Sequence, residues 1–177
     1  MANQRLTDKT AMDQQTGSGD LFHVVDVNDT SSSSAGTSKK IDTKFVIQTD
    51  KFSLANNDVI ALHTTPKTLV GALSGYFVTP LSVSVFCTKA GSTETSSNNL
   101  MFGFDSSTDN NYWFQIRDCM NNKLTDLSYI VSGNPASGGT YVGSSTVNRP
   151  FEMWSNLAFN GGWTMEVYVT YSYTKLL

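Results

Sequence analysis

Hydrophobic and polar residues alternate without a break from Trp163 to Thr174. Trp163, Met165, Val167, Val169, Tyr171 and Tyr173 fall on one face, and Thr164, Glu166, Tyr168, Thr170, Ser172 and Thr174 on the other. A period of two held this long predicts a β-strand with one buried face, about 40 Å from end to end. Gly161-Gly162 supplies a turn just before it. A second long strand is predicted over Tyr76 to Thr88, with Phe77, Leu81, Val83, Val85 and Cys87 on one face. Pro80 has no N–H to give to a ladder, so it asks for an edge position or a bulge. Shorter strands are predicted at Asp58 to His63, Asn99 to Phe104, Tyr112 to Arg117, Leu127 to Val131 and Phe151 to Trp154. Turns such as Gly91-Ser92-Thr93, Ser106-Ser107-Thr108 and Ser137-Gly138-Gly139 separate them. The chain has no internal repeat and no amphipathic helix of useful length. The expected fold class is therefore all-β, an antiparallel β-sandwich or jelly-roll-like domain over residues 56–177.

Residues 1–55 read differently. Met1 to Gly19 is polar and ends in Thr16-Gly17-Ser18-Gly19, which suits an extended arm. A short strand candidate, Leu21-Phe22-His23-Val24-Val25-Asp26-Val27, leads into the serine-rich run Thr30 to Ser38, which suits only a loop. Apolar character returns between Lys40 and Gln48 with Ile41, Phe45, Val46 and Ile47. So few apolar residues cannot close a core, and this segment is expected to need partners.

Composition sharpens this picture. Ser, Thr and Asn fill about a third of the 177 positions, while only 15% are charged and 11% aromatic. A disordered chain shows the opposite balance. The 12 basic residues are scattered, with Lys39-Lys40 the only adjacent pair, and the net charge is −3. No basic face is available to neutralise phosphates, so nucleic acid is not an expected partner. No apolar run approaches the roughly 20 residues that cross a bilayer, and no membrane insertion is expected. Met1 to Gly19 has no apolar stretch and does not read as a signal peptide, so synthesis in a cytoplasm is expected. Cys87 and Cys119 lack a CxxC spacing or a neighbouring His, and they read as buried thiols.

Candidate chemistry is sparse. His23 shares a strand with apolar residues, and His63 stands at a strand end without a nucleophile-elbow serine nearby. Glu94, Asp105, Asp109, Asp118, Asp126, Glu152 and Glu166 could in principle supply a carboxylate pair, but their spacing selects none. Asp105 to Asp109 carries oxygens at alternate positions without the glycine and final glutamate of a calcium loop, so it reads as a turn. No catalytic, cofactor or metal set emerges, and no enzyme activity is expected. Tyr112, Trp113 and Trp154 are candidate glycan contacts, since flat aromatic faces suit sugar rings. The alternation assigns Trp163 to the core.

One segment resembles a known motif. Asp20-Leu21-Phe22-His23-Val24-Val25-Asp26-Val27-Asn28-Asp29-Thr30, a serine loop, then Gly36-Thr37-Ser38-Lys39-Lys40-Ile41 is similar to a pattern near the start of many tailed-phage fibre and virion proteins. There it runs D-L-x-x-V-V-D-V-S-D-T, a short loop, G-T-S-K-K-I; here Asn28 replaces the serine and Asp42 follows Ile41. Ile60 to Val70, with Thr64-Thr65-Pro66 and Leu69-Val70, also looks like the opening of a small β-domain common in phage structural proteins. Gly71 to Gly75 stands where that domain has a Pro-Gly turn, and Asn148-Arg149-Pro150 onward resembles its close. The resemblance implies a structural virion protein, a trimeric head fibre or capsid decoration protein, anchored through residues 1–55. The alternative it implies is a tail fibre or fibre adaptor whose β-domain binds a host surface glycan. Its partners would be two further copies and other virion proteins, and its place the particle surface. Asp26, Asp29, Thr30, Gly36, Thr37, Lys39, Lys40 and Ile41 are the expected anchoring residues. Asp29 and Thr30 suit a turn, Gly36 a positive φ, and Lys39-Lys40 acidic partners.

Overall fold

The computed structural model describes residues 21–32, 34, 36–42, 45–104, 106, 112–132 and 146–175. The arm 1–19, the acids Asp105 and Asp109 and the turn at 137–139 lie outside them. Two compact units divide between Lys44 and Phe45.

The first unit is an antiparallel hairpin of β1 (Leu21–Asp26) and β2 (Thr37–Asp42), registered from Leu21↔Asp42 to Asp26↔Thr37. The expected apolar faces of β1 concern side chains outside the description, except Val24, which is half-buried.

The second unit contains β3 (Gln48–Leu54), α1 (Asn56–Ala61), β4 (Lys67–Val70), β5 (Tyr76–Lys89), β6 (Leu100–Gly103), β7 (Tyr112–Ile116), β8 (Leu127–Ser132), β9 (Phe151–Ser155) and β10 (Trp163–Lys175). Its eight described strands form two four-stranded antiparallel sheets, ordered β3-β10-β5-β8 and β4-β9-β6-β7. Apart from the β6–β7 hairpin, every connection crosses from one sheet to the other, which is the jelly-roll arrangement. Between the sheets lies the core. β10 contributes Trp163, Met165, Val167, Val169 and Tyr171, all buried as the alternation requires. β5 contributes Val78, Val83, Val85 and Cys87; Phe102, Phe114, Phe151 and Met153 face them from the second sheet.

Three local expectations change. Asp58 to His63 is not a strand: Asn56–Ala61 is helical, and the Asp58 carboxylate accepts the Ala55 N–H at 2.9 Å at the helix start. Pro80 is buried inside β5, made possible by a bulge where Thr170 pairs Ser82 but Tyr171 pairs Pro80. Leu81 is the extra residue and is exposed instead of lying with Val83. Among the described residues β8 pairs with Ser82 to Cys87 and does not reach Pro80. Finally β3, inside the 1–55 segment of the sequence reading, pairs with β10 from Gln48↔Tyr171 to Leu54↔Met165, so the jelly-roll unit begins at Phe45.

Cys87 and Cys119 are both buried free thiols. Cys119 belongs to a turn in which Asp118, Met120 and Asn122 all have positive φ, at 49°, 62° and 54°.

Candidate functional site

Four of the eight anchoring candidates, Asp29, Gly36, Thr37 and Lys39, meet at the mouth of the β1–β2 hairpin. Asp29 Oδ1 accepts the Ser31 N–H at 3.0 Å, the turn an aspartate at this position is suited to make. Thr37 Oγ1 donates to the Asp29 carbonyl at 2.7 Å and accepts the Ser32 N–H at 3.3 Å. Gly36, immediately before Thr37, is buried with φ 112°, a conformation that a side chain disfavours. Lys39 Nζ lies 2.7 Å from Asp29 Oδ2. Lys39, one of the two lysines expected to pair with acidic partners, thus has one within its own hairpin. Asp26 is the Cα partner of Thr37. Lys40, Ile41 and Thr30 are exposed, and Val27, just after β1, is 69% exposed. Ser31 and Ser32 complete the closure; the sequence marked them only as loop.

This geometry sets the charge of Asp29. The Lys39 ammonium first, then the Ser31 hydroxyl and N–H, hold its carboxyl down at about 2, against 3.8 ordinarily. A depressed carboxyl contributes stability in full above its ordinary value and loses it as pH falls through the folded one. The hairpin mouth is therefore expected to stay closed from neutral pH to about 4 and to loosen only near pH 2. A carboxyl carbon NMR titration checks this: a midpoint near 2 is expected, moving toward 4 in Lys39→Met, while a wild-type midpoint near 4 shows the contacts are not made in solution.

The glycan candidates do not form a platform. Trp154 is 2% exposed: it sits on central strand β9 with Met101, also buried, as cross-strand partner, on the face opposite the core residues Met153 and Phe102. A ring so covered cannot stack on a sugar. Trp113 is the extra residue of a bulge, since Phe102 pairs Phe114 but Gly103 pairs Tyr112. The bulge turns it against Phe77 and Phe104, at ring distances of 6.0 and 5.8 Å, and leaves it half-buried. Tyr112 is half-buried as well.

The acids are dispersed. Glu166 pairs with Lys51 on the exposed side of its sheet, Glu152 accepts Ser106 Oγ at 2.9 Å in the other sheet, and Asp126 accepts the Lys89 N–H at 2.9 Å. Asp118 is exposed, and Glu94 is fully buried. His63 is exposed after α1, and His23 is the Cα partner of Lys40. A cleft between α1 and β4 holds about 150 Å³, below the roughly 300 Å³ at which small-molecule sites begin. Its one carboxylate, Asp58, is the group that accepts the Ala55 N–H. Among the described residues no three of His, Cys, Asp and Glu come together as metal ligands, and no helix is long and apolar enough to cross a membrane.

Fold and site together define an eight-stranded jelly-roll domain preceded by a short, polar-mouthed hairpin. No family model and no curated protein matches the chain. Among solved structures it is similar to a chain of the Israeli acute paralysis virus full particle heated to 63 degrees, at 10% identity and a TM-score of 0.30, over 75% of this chain and 74% of that one. It is also similar to a chain of the Israel acute paralysis virus crystal structure, at 6% identity and a TM-score of 0.31, over 93% of this chain and 94% of that one.

Proposed function

We propose that this chain is a non-enzymatic structural protein of a tailed-phage virion, a head fibre or capsid decoration protein anchored through its first unit and assembled as a homotrimer. The observation that carries this reading is the hairpin. The residues of its phage-like motif close on one another, through Asp29, Gly36, Thr37 and Lys39, into a defined shape. Two strands alone are marginal in water, and this pair leaves Val27 and Ile41 exposed. Three copies about an axis would bury such residues, and closed rotational symmetry is the ordinary arrangement for identical chains. The exposed Lys40 and Ile41 would then contact the particle, and the jelly roll would project from its surface. A tail fibre or adaptor role is the alternative, and burial of Trp154 removes one of its three candidate glycan contacts.

Co-sedimentation tests the anchoring. Virus particles lacking this protein are expected to bind the full chain and to leave a 1–44 deletion in the supernatant. Equal binding by the deletion would overturn the assignment.

A further inference from the structure

Cys87 and Cys119 stand far apart in the chain and side by side in the fold. Cys87 lies on the core face of β5, opposite Leu127 of β8, and the next core position along β8 is Tyr129, opposite Val85. The Tyr129 hydroxyl accepts the Met120 N–H at 3.0 Å, which draws the 118–122 turn up to these two strands. The Cys119 N–H donates to the Asn98 carbonyl and the Asn122 N–H to the Glu94 carbonyl, each at 2.7 Å, so the turn is held from its other side as well. Positive φ at Asp118 and Met120 bends the chain tightly around Cys119. For a methionine such backbone is strained, and it persists because these contacts hold it. Cys119 thus reaches the same buried cluster as Cys87, where the two thiols are in hydrogen-bonding contact and the Tyr129 hydroxyl touches Cys119.

The pair has no other evident use. Among the described residues no third His, Cys, Asp or Glu joins it to complete a metal site. These are also the chain's only two cysteines, so an intramolecular pairing has a single form. Each side chain has one torsion between backbone and sulfur, and thiols already in contact need only rotation about it to approach bonding geometry.

We propose that Cys87 and Cys119 are the two ends of an inter-sheet disulfide, formed when the protein meets a small-molecule disulfide such as oxidised glutathione. One cysteine thiolate attacks the external disulfide, giving a mixed disulfide and releasing one thiol; the second cysteine then displaces the other. Two protein S–H bonds are lost and one S–S bond is made. The two electrons reduce the external disulfide, and the two protons end on its thiols. β5 belongs to one sheet and the 118–122 turn follows β7 of the other, so the bond fastens the two layers through the core. A reducing cytoplasm keeps the pair as thiols, and an oxidising medium closes it. Contact with Cys87, then burial, then Glu94 beside it hold the Cys119 thiol well above its ordinary pKa. The closed fold therefore reacts slowly, and exchange proceeds through opening of the strained turn. The bond lies wholly within the second unit, so it is independent of the anchoring and trimer reading.

Refolding the reduced full chain in a glutathione redox buffer, with and without denaturing urea, tests the bond. An intact mass lower by two hydrogens is expected, with the Cys87 and Cys119 peptides joined in a non-reduced digest. The joined fraction should be larger in native buffer than in urea, because the fold favours the bond as much as the bond favours the fold. Closing a loop of about 30 residues should raise the unfolding midpoint by about 5–10 °C, and dithiothreitol should reverse the rise. Cys119→Ala under the same treatment should show no rise. Should that variant fail to fold, the oxidised and dithiothreitol-treated wild-type chains carry the comparison alone. Two thiols that stay free, glutathione adducts or disulfide-linked dimers in place of the internal bond would overturn the proposal. So would a joined fraction no larger in native buffer than in urea, or an unchanged midpoint.

Discussion

Replacing Gly162 by alanine is expected to destabilise the jelly roll by about 3 kcal/mol or more, the sum of backbone strain and overpacking. Gly162 has φ 81°, where a Cβ costs roughly 1–2 kcal/mol. The new carbon would also run into the 91–92 turn, overlapping the Ser92 nitrogen, 2.7 Å from the Ser92 oxygen and 2.8 Å from the Gly91 carbonyl carbon. These are backbone atoms and cannot rotate away. The same residue is held from both sides, since its N–H donates to Asn56 Oδ1 and its carbonyl accepts the Ala90 N–H at 2.8 Å. Moving it would disturb the start of β10, where Trp163 enters the core. At roughly 2–4 °C per kcal/mol for a domain of this size, the unfolding midpoint should fall by about 10 °C. Gly71→Ala is the matched control: nothing lies within 4 Å of its added carbon. It should change stability by no more than about 1 kcal/mol. Equal midpoints for the two variants would show that the 161–162 turn is not packed as described.

Truncation is expected to separate the two units sharply. Deleting residues 1–44 should leave a cooperative jelly roll with an unchanged near-ultraviolet spectrum. Deleting residues 1–55 should not, because it removes β3 and strips one edge from β10. Leu54 is buried and Phe52 packs against the core, and losing one such side chain costs about 2–5 kcal/mol. The Thr49–Thr170 contact at 2.9 Å and the Tyr171 hydroxyl's bonds to Asp50 and Gln48 would go too. Total stabilities are typically about 5–15 kcal/mol, so loss of cooperative unfolding is the expected outcome. Limited proteolysis that finds both deletions equally resistant would contradict the place of β3 in the sheet.

These residues also show what the sequence could reveal. β10 was legible because one face meets the core and the other meets water, so burial and pattern coincide. β3 was not: Gln48–Leu54 holds only Phe52 and Leu54 as apolar residues, and pairing with β10 supplies what its composition lacks. The helix at Asn56–Ala61 was hidden because its apolar half, Val59 to Ala61, runs on into Leu62 as a strand would; its start is set by Asp58 and its position by the docking of Asn56 against Gly162. Trp154 and Trp113 drew attention as flat aromatic faces, but the burial of one and the bulge at the other are tertiary facts. At the hairpin, the turn chemistry of Asp29 and Gly36 was readable from residue type, while the pairing of Lys39 with Asp29 required the strands to be brought into register. Glu94 was one acid among seven, and nothing near it in the chain signals its burial. Asn121 and Asn160 reach it only through folding.

The proposal of a particle-anchored trimer meets its most direct test in the mass of the purified chain in solution. Sedimentation equilibrium on the full chain and on the 1–44 deletion should find three chains in the first and one in the second. A stable monomer for the full chain, which also fails to bind particles, would contradict it.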